Sequence, residues 1–393
     1  MGAIQYRALR DDPRVGFWTA VVIAAILAVW RLGSFADASG GSQTKYILYV
    51  LPLACLVAQV CARRFVVPIS APGLQAVGLY LLAVGASLAV SRSTNAFTLR
   101  DVLIIATYLL MFGVSWSASP REVLAMGITC FVCMAIEAFQ DGISFNVDIL
   151  DSDGILESVM AFPLGVIVLY CIRTRRLGPG ILATLLFFAA YKRIAILAVI
   201  GVVAFEWGLA LVGLAHRRRA VATTAVIVLS ILSLFSARLF EFAAVLIGGE
   251  HVSANSVSLG RFEFAQAIWR QLDAAPLLAL LFGHGPGSAD SFVQAAIDNA
   301  SNPHNDWLKI FVDYGVFGFV VMHLVLRRIF AGGAFATSVH LYTVIVMMTD
   351  NVLIYTFHHA IVLVVMRAAA PLAARATRPA MGSAPDVPAP MPR

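Results

Sequence analysis

Charge is what this sequence has least of. Only 13% of its 393 residues are Asp, Glu, Lys or Arg, while 60% are hydrophobic. So few charges cannot cover the surface of a water-soluble domain, and a mean hydropathy of +0.86 indicates a polytopic membrane protein instead. Cysteine is also scarce. Cys55, Cys61, Cys130, Cys133 and Cys171 all lie in or beside apolar runs, which excludes a disulfide framework and a soluble metal site. Cys130 and Cys133 form a C-x-x-C, but a metal or redox centre inside a span would need further ligands nearby. No repeat period stands out, and no G-x-x-x-x-G-K phosphate loop is present. The basic surplus, 28 Lys and Arg against 22 Asp and Glu, reports topology in such a chain, so no nucleic-acid partner is expected.

Apolar runs make up most of what is there. A spanning helix needs about 20 mostly apolar residues, and the chain offers about twelve such runs, an all-α polytopic architecture. The first, Gly16 to Trp30, follows Arg7, Arg10 and Arg14 like the hydrophobic region of a signal peptide, but without a small-residue cleavage site it reads as a retained helix. Eight more follow between Tyr46 and Arg238, and three between Trp307 and Met366. Assigning the surplus of Lys and Arg to cytoplasmic loops places both termini inside. The excursion at about 241–306 is then a large periplasmic loop containing short helices, with the protein in the inner membrane of a bacterium. Residues 1–370 form one integral domain, and the Ala- and Pro-rich 371–393 a disordered cytoplasmic tail.

Chemistry on a water-facing substrate belongs in or beside that excursion. Lys192 and Arg193 interrupt an apolar stretch at the outer ends of two short spans. They are either snorkelling anchors or a site for an anion at the membrane surface, and the planar guanidinium of Arg193 is the better phosphate ligand of the two. Phe262, Ala265, Ile268, Trp269 and Leu272 recur at helical spacing. They predict a helix lying apolar side down on the membrane, with Arg261 at headgroup level and Arg270 further along. Gly283-His284-Gly285-Pro286-Gly287 predicts a tight re-entry or corner near the site. His304 sits between Pro303 and Asn305 at the mouth of a helix starting near Asp306, which Asn305 or Asp306 can cap. A histidine there is either a surface residue or a general base for a sugar hydroxyl. Gly315-x-x-Gly318 by itself suggests close helix packing.

As a set, these residues resemble the bacterial O-antigen ligase and polymerase superfamily. The resemblance rests on His304-Asn305, Leu308, Gly315-x-x-Gly318, Arg261 and the Gly283-x-Gly285 turn, and it covers about Lys192 to Phe319. It implies a GT-C-like membrane glycosyltransferase that uses an undecaprenyl-diphosphate-linked glycan as donor. The acceptor would be a sugar hydroxyl of a growing glycan or of a lipopolysaccharide core. By the resemblance, His304 is the catalytic base and Arg193 and Arg261 bind the diphosphate. Lys192, Arg270 and Asn305 support them, and the Lys before Arg193 departs from the family's usual small residue. Neither metal nor cofactor is expected, because arginines take up the leaving-group charge. The surface polysaccharide could be O-antigen, exopolysaccharide or capsule, and a chain-length regulator is a conceivable partner.

A lipid-linked glycan flippase, or another twelve-span transporter, is the rival reading; it fits a single late loop less well and leaves His304 without work. Glu137 and Glu206 lie at membrane depth, where acids should be paired or face inward. They have no assigned role, nor do His358 and His359. If the reading is right, the excursion and the outer end of the span after Arg193 must meet in space.

Overall fold

A computed structural model describes residues 13–36, 46–63, 70–92, 94–95, 97–114, 116–141, 158–248, 253–258, 260–297 and 302–376. Most of an acidic loop between the fifth and sixth apolar runs (Asp148, Asp151, Asp153 and Glu157), most of the tail, Arg7 and Arg10 lie outside them. The first half of the chain forms α1 (Pro13–Ala36), α2 (Ile47–Ala62), α3 (Ala71–Ser91), α4 (Thr98–Gly113), α5 (Pro120–Asp141), α6 (Ala161–Thr174), α7 (Leu177–Ala189) and α8 (Arg193–Leu211). Then come α9 (Arg218–Leu234), α10 (Ser236–Gly248), α11 (Ala254–Ser258), α12 (Arg261–Asp273), α13 (Leu277–Phe282) and α14 (Ser288–Ala296). The chain closes with α15 (Asp306–Ile329), α16 (Ala334–Val346) and α17 (Thr356–Ala376).

Among the described residues the architecture is all-helical, and it is that of a membrane protein. Five of the described helices, α1, α3, α5, α8 and α15, are long and apolar enough to cross a bilayer, and α2, α6, α7, α16 and the Thr356–Ala370 part of α17 are shorter apolar stretches. Their outward faces carry Leu81, Leu82, Ile128, Leu185, Ile200 and Leu211, side chains that lipid solvates and water does not. The inward faces share one core in which Tyr80, Tyr108, Phe162 and Trp307 are fully buried. The expected span from Val221 to Arg238 is broken: α9 and α10 meet at 83°.

The excursion folds onto the bundle as a cap. Helix α12 forms where its periodicity predicts, but its apolar side faces protein instead of lipid. Ala265, Ile268 and Leu272 pack with Ala289 and Val293 of α14 and with Leu308 and Val312 of α15. The Trp269 indole donates to the Leu234 carbonyl, 3.0 Å away. A protein surface removes the same apolar area from water as the bilayer would and also satisfies the indole N–H, so packing wins.

The glycine-rich turn decides how the cap docks. α15 breaks at Gly315, whose backbone has φ 67° and ψ −167°. The break deprives nearby carbonyls of their helical donors, and the turn supplies replacements: His284 N–H donates to Val312 O (2.9 Å) and Gly285 N–H to Asp313 O (3.2 Å). The approach is so close that a Cβ on Gly283, itself at φ 90°, would stand 2.2 Å from the Asp313 oxygen. Gly315 is therefore a designed break, where the G-x-x-G spacing alone suggested only packing. Gly283→Ala should lose about 1–3 kcal/mol or more through strain and clash, seen as a lower melting temperature in detergent. Gly78→Ala, where a Cβ meets nothing within 4 Å, should not lower it.

Candidate active site at the mouth of α15

Asn305 starts α15. From an extended backbone its Oδ1 accepts the Leu308 N–H at 3.0 Å, the usual role of an N-cap. The same oxygen accepts from Ser233 Oγ (2.9 Å), and Nδ2 donates to the Ser233 carbonyl (2.9 Å). These bonds tie α15 to the α9–α10 corner. Asp306 then anchors the opposite side: its N–H donates to Met347 O (2.9 Å) and its Oδ2 accepts from Leu353 N–H (2.8 Å). His304, next to these two anchored residues, adopts φ 49°, a left-handed conformation that costs a non-glycine residue free energy and so indicates a held position.

The imidazole stacks on Phe264 of α12, with centroids 5.6 Å apart and planes at 22°. Its side chain is 37% exposed, so a substrate can reach it. Nδ1 faces inward, 3.9 Å from Asp350 Oδ1 and 3.4 Å from Asn351 Nδ2. The first distance is a charge contact, too long for a hydrogen bond. The Asn351 oxygen is buried with no partner; turning the amide over would let that oxygen accept from Nδ1–H. Nε2 would then keep its lone pair. Asp350 is itself fixed, its Oδ1 accepting from the Tyr355 hydroxyl and from Asn351 N–H, both at 2.8 Å. Burial pushes the Asp350 carboxyl up, but the His304 imidazole and the charges of Lys192 and Arg261 outweigh it and hold the carboxyl below the usual range.

His304 thus faces Asp350, on which the charges of Lys192 and Arg261 act. Arg261 opens α12 one turn before Phe264, and Lys192 precedes α8 in an extended conformation. Arg193 is the first residue of α8, so two cations flank a helix N-terminus, where the dipole already favours an anion. The charge of Lys192 is among those that act on Asp350. Arg270 stands apart: nine residues along α12, it is exposed and lies 3.4 Å from Gln266, in a groove with Arg238 and Glu241. Asn305, spent on capping and anchoring, serves the fold. His358 and His359 are buried against rings, His359 stacking on Tyr108 at 4.4 Å.

Behind the mouth lies a charge network. The Lys309 ammonium, one turn into α15, touches Asp101 Oδ2 (2.7 Å), Asp290 Oδ2 (2.8 Å) and Asp313 Oδ2 (2.9 Å). Arg100 reaches Asp101 at 2.7 Å and Asp290 at 2.5 Å. Asp313 also accepts the Gly287 and Ala289 N–H groups at 3.0 and 2.9 Å. Burial, helped by Asp101, keeps Asp290 above its ordinary value in spite of the two cations. Among the described residues no group of three or more His, Cys, Asp or Glu is disposed to hold a metal. The acidic-loop D-x-D, Asp151-Ser152-Asp153, lies outside them. Asp350, Asn351, Phe264 and the network are what sequence reading missed. One signal was available, the i, i+4 pair Lys309 and Asp313 within an apolar helix.

Residues 179–323 match a family model described as O-antigen ligase. The match spans Lys192, Arg193, Arg261, the glycine turn, His304 and Lys309; Asp350 and the Arg100-Asp101 pair fall outside it. No curated protein sequence matches the chain.

Lys309→Met would leave Asp101 and Asp290 with Arg100 and Asp313 with only the Gly287 and Ala289 N–H groups. Breaking a buried ionic cluster this way costs about 3–5 kcal/mol. Loss of the monodisperse peak in size-exclusion chromatography is expected; an unchanged peak and melting temperature would disprove the network's structural weight.

Proposed function

We propose that the O-antigen ligase domain carried by residues 179–323 makes this chain a transferase of undecaprenyl-diphosphate-linked glycans, working in surface-polysaccharide assembly as a ligase or polymerase. The observation that carries the reading is that Asp350, 3.9 Å from His304 Nδ1, is subject to the charges of Lys192 and Arg261. His304 and the two cations come from three separate stretches, and a base beside an acid on which cations act suits attack of a hydroxyl on a carbon that bears a diphosphate.

In this mechanism the acceptor hydroxyl approaches the exposed edge of His304. Nε2 takes the hydroxyl proton while the oxygen bonds to the anomeric carbon of the donor. The bond from that carbon to the diphosphate oxygen breaks, and undecaprenyl diphosphate departs with the electron pair. Arg261, Lys192 and Arg193, with the N-terminus of α8, take up its negative charge. The Asn351 amide, turned over, holds the imidazole in orientation, and Asp350, kept in place by the Tyr355 hydroxyl and the Asn351 N–H, stabilises the imidazolium that forms. A single displacement inverts the anomeric configuration. The mouth faces the periplasm of a bacterial inner membrane, under a twelve-span topology with both termini cytoplasmic, and the acceptor is a glycan hydroxyl on lipopolysaccharide core or on a second lipid-linked chain.

Purified protein with lipid-linked glycan donor tests the assignment. His304→Ala should lower transfer by about 10²–10⁴-fold with the melting temperature kept; full activity would refute the base. Arg261→Ala should weaken donor binding, read as a higher KM, and Asp350→Asn should lower kcat more than it raises KM. Transfer should survive EDTA. Loss of activity on chelation, restored by a divalent cation, would instead bring Asp151 and Asp153 into the chemistry.

A further inference from the structure

The far end of the bundle holds a second polar site that the transfer reaction does not use. A cavity of about 500 Å³ opens between α6, α8, α16 and α17. α8 runs to it from Lys192 and α15 runs toward the same end from His304, so it lies at the opposite membrane face. Glu206, five residues before the end of α8, sits roughly 8 Å below that terminus at 1.5 Å per residue. It is not a stray acid. Ser338 Oγ hydrogen-bonds Oε1, and Arg218 and Arg173 approach Oε2 at 3.5 and 3.8 Å.

Charge is in excess on the basic side. Arg173 and Arg175 line the cavity, Arg218 stands behind Glu206, and one carboxylate faces three guanidiniums. Arg218 Nε is buried with no hydrogen-bond partner, and the Arg173 side chain is 49% exposed. The cavity-lining guanidiniums of Arg173 and Arg175 remain able to bind oxygens that Glu206 does not supply. The walls are of another kind: Ile172, Val203 and Phe335 line the space, and Trp207 at its rim is 72% exposed. An amphipathic ring at the rim and guanidiniums at the floor match the interface between headgroups and hydrocarbon. A free anion would have no use for the apolar walls, whereas acyl chains would.

We propose that this cavity binds the headgroup of an anionic phospholipid, its phosphate oxygens held by Arg173 and Arg175, with Arg218 adding positive charge from behind Glu206, and its chains running along α6 and α8 past Trp207. Basic pockets between membrane helices take such headgroups, and planar guanidiniums bind phosphate oxygens in pairs. Glu206 fixes the cluster, so that the arginines are oriented before the lipid arrives.

Native mass spectrometry of the full-length protein in detergent tests the site, titrating phosphatidylglycerol against phosphatidylcholine with identical chains. The wild type should prefer phosphatidylglycerol by about tenfold or more. The double variant Arg173→Ala/Arg175→Ala should lose the preference at an unchanged melting temperature, and Arg173→Lys/Arg175→Lys should keep part of it. Phosphatidylglycerol with brominated tails should quench the fluorescence that Trp207→Phe removes. Equal binding of the two lipids, a preference that survives the alanine variant, or displacement of the lipid by millimolar inorganic phosphate would each overturn the proposal. The last result would mark the cavity as a site for free anions.

Discussion

One ammonium group holds the working parts of this protein in register. Lys309 lies between carboxylates from α4, α14 and its own helix, at 2.7–2.9 Å from each. A lysine so deep would be prohibitive alone, and three aspartates so close would repel one another. Together, and with Arg100, they form a cluster that none can leave singly. Asp313 extends it by accepting two N–H groups from the glycine turn, which in turn covers the broken segment of α15. The cap, the bundle and the first turn of α15 are thereby fixed to one another. His304 stands five residues before Lys309.

The mouth of the site shows how that rigidity is used. On one side α12 contributes Phe264 and Arg261, and on the other the segment from Met347 to Tyr355 contributes Asp350 and Asn351. Asp306 joins the two through backbone bonds to Met347 and Leu353. Asp350 is a buried acid kept ionised because cations and an imidazole surround it. It can therefore balance an imidazolium without needing a proton.

Much of this was legible without coordinates. Few charges and long apolar runs dictate a helical membrane protein, since only helices satisfy backbone polar groups in lipid without closing a barrel. The periodicity of Phe262, Ala265, Ile268 and Leu272 predicts α12, the glycine turn predicts a corner, and Asn305 predicts a cap; each is a local effect written in neighbouring residues. The side to which α12 turns its apolar face was not legible, because lipid and protein offer nearly the same burial. Nor was Asp350, an acid 46 positions from His304 in an otherwise apolar stretch, with no spacing to link the two. The partners of Arg100 and Lys309 are similarly remote, with 190 residues between Arg100 and Asp290.

By itself, then, the sequence determined the solvent each segment prefers, where helices start and break, and which residues could do chemistry near a water-facing mouth. These follow from hydrophobicity, capping and backbone freedom, which act over a few residues. Only the tertiary structure decided that the charges of Lys192 and Arg261 act on Asp350 beside His304, that Asn305 is spent on the fold, that Arg270 lies elsewhere, and that Lys309 is neutralised by carboxylates from three helices. Electrostatic pairing acts through space, over a few ångströms and without regard to chain distance. Its partners exist only once packing has brought the helices together.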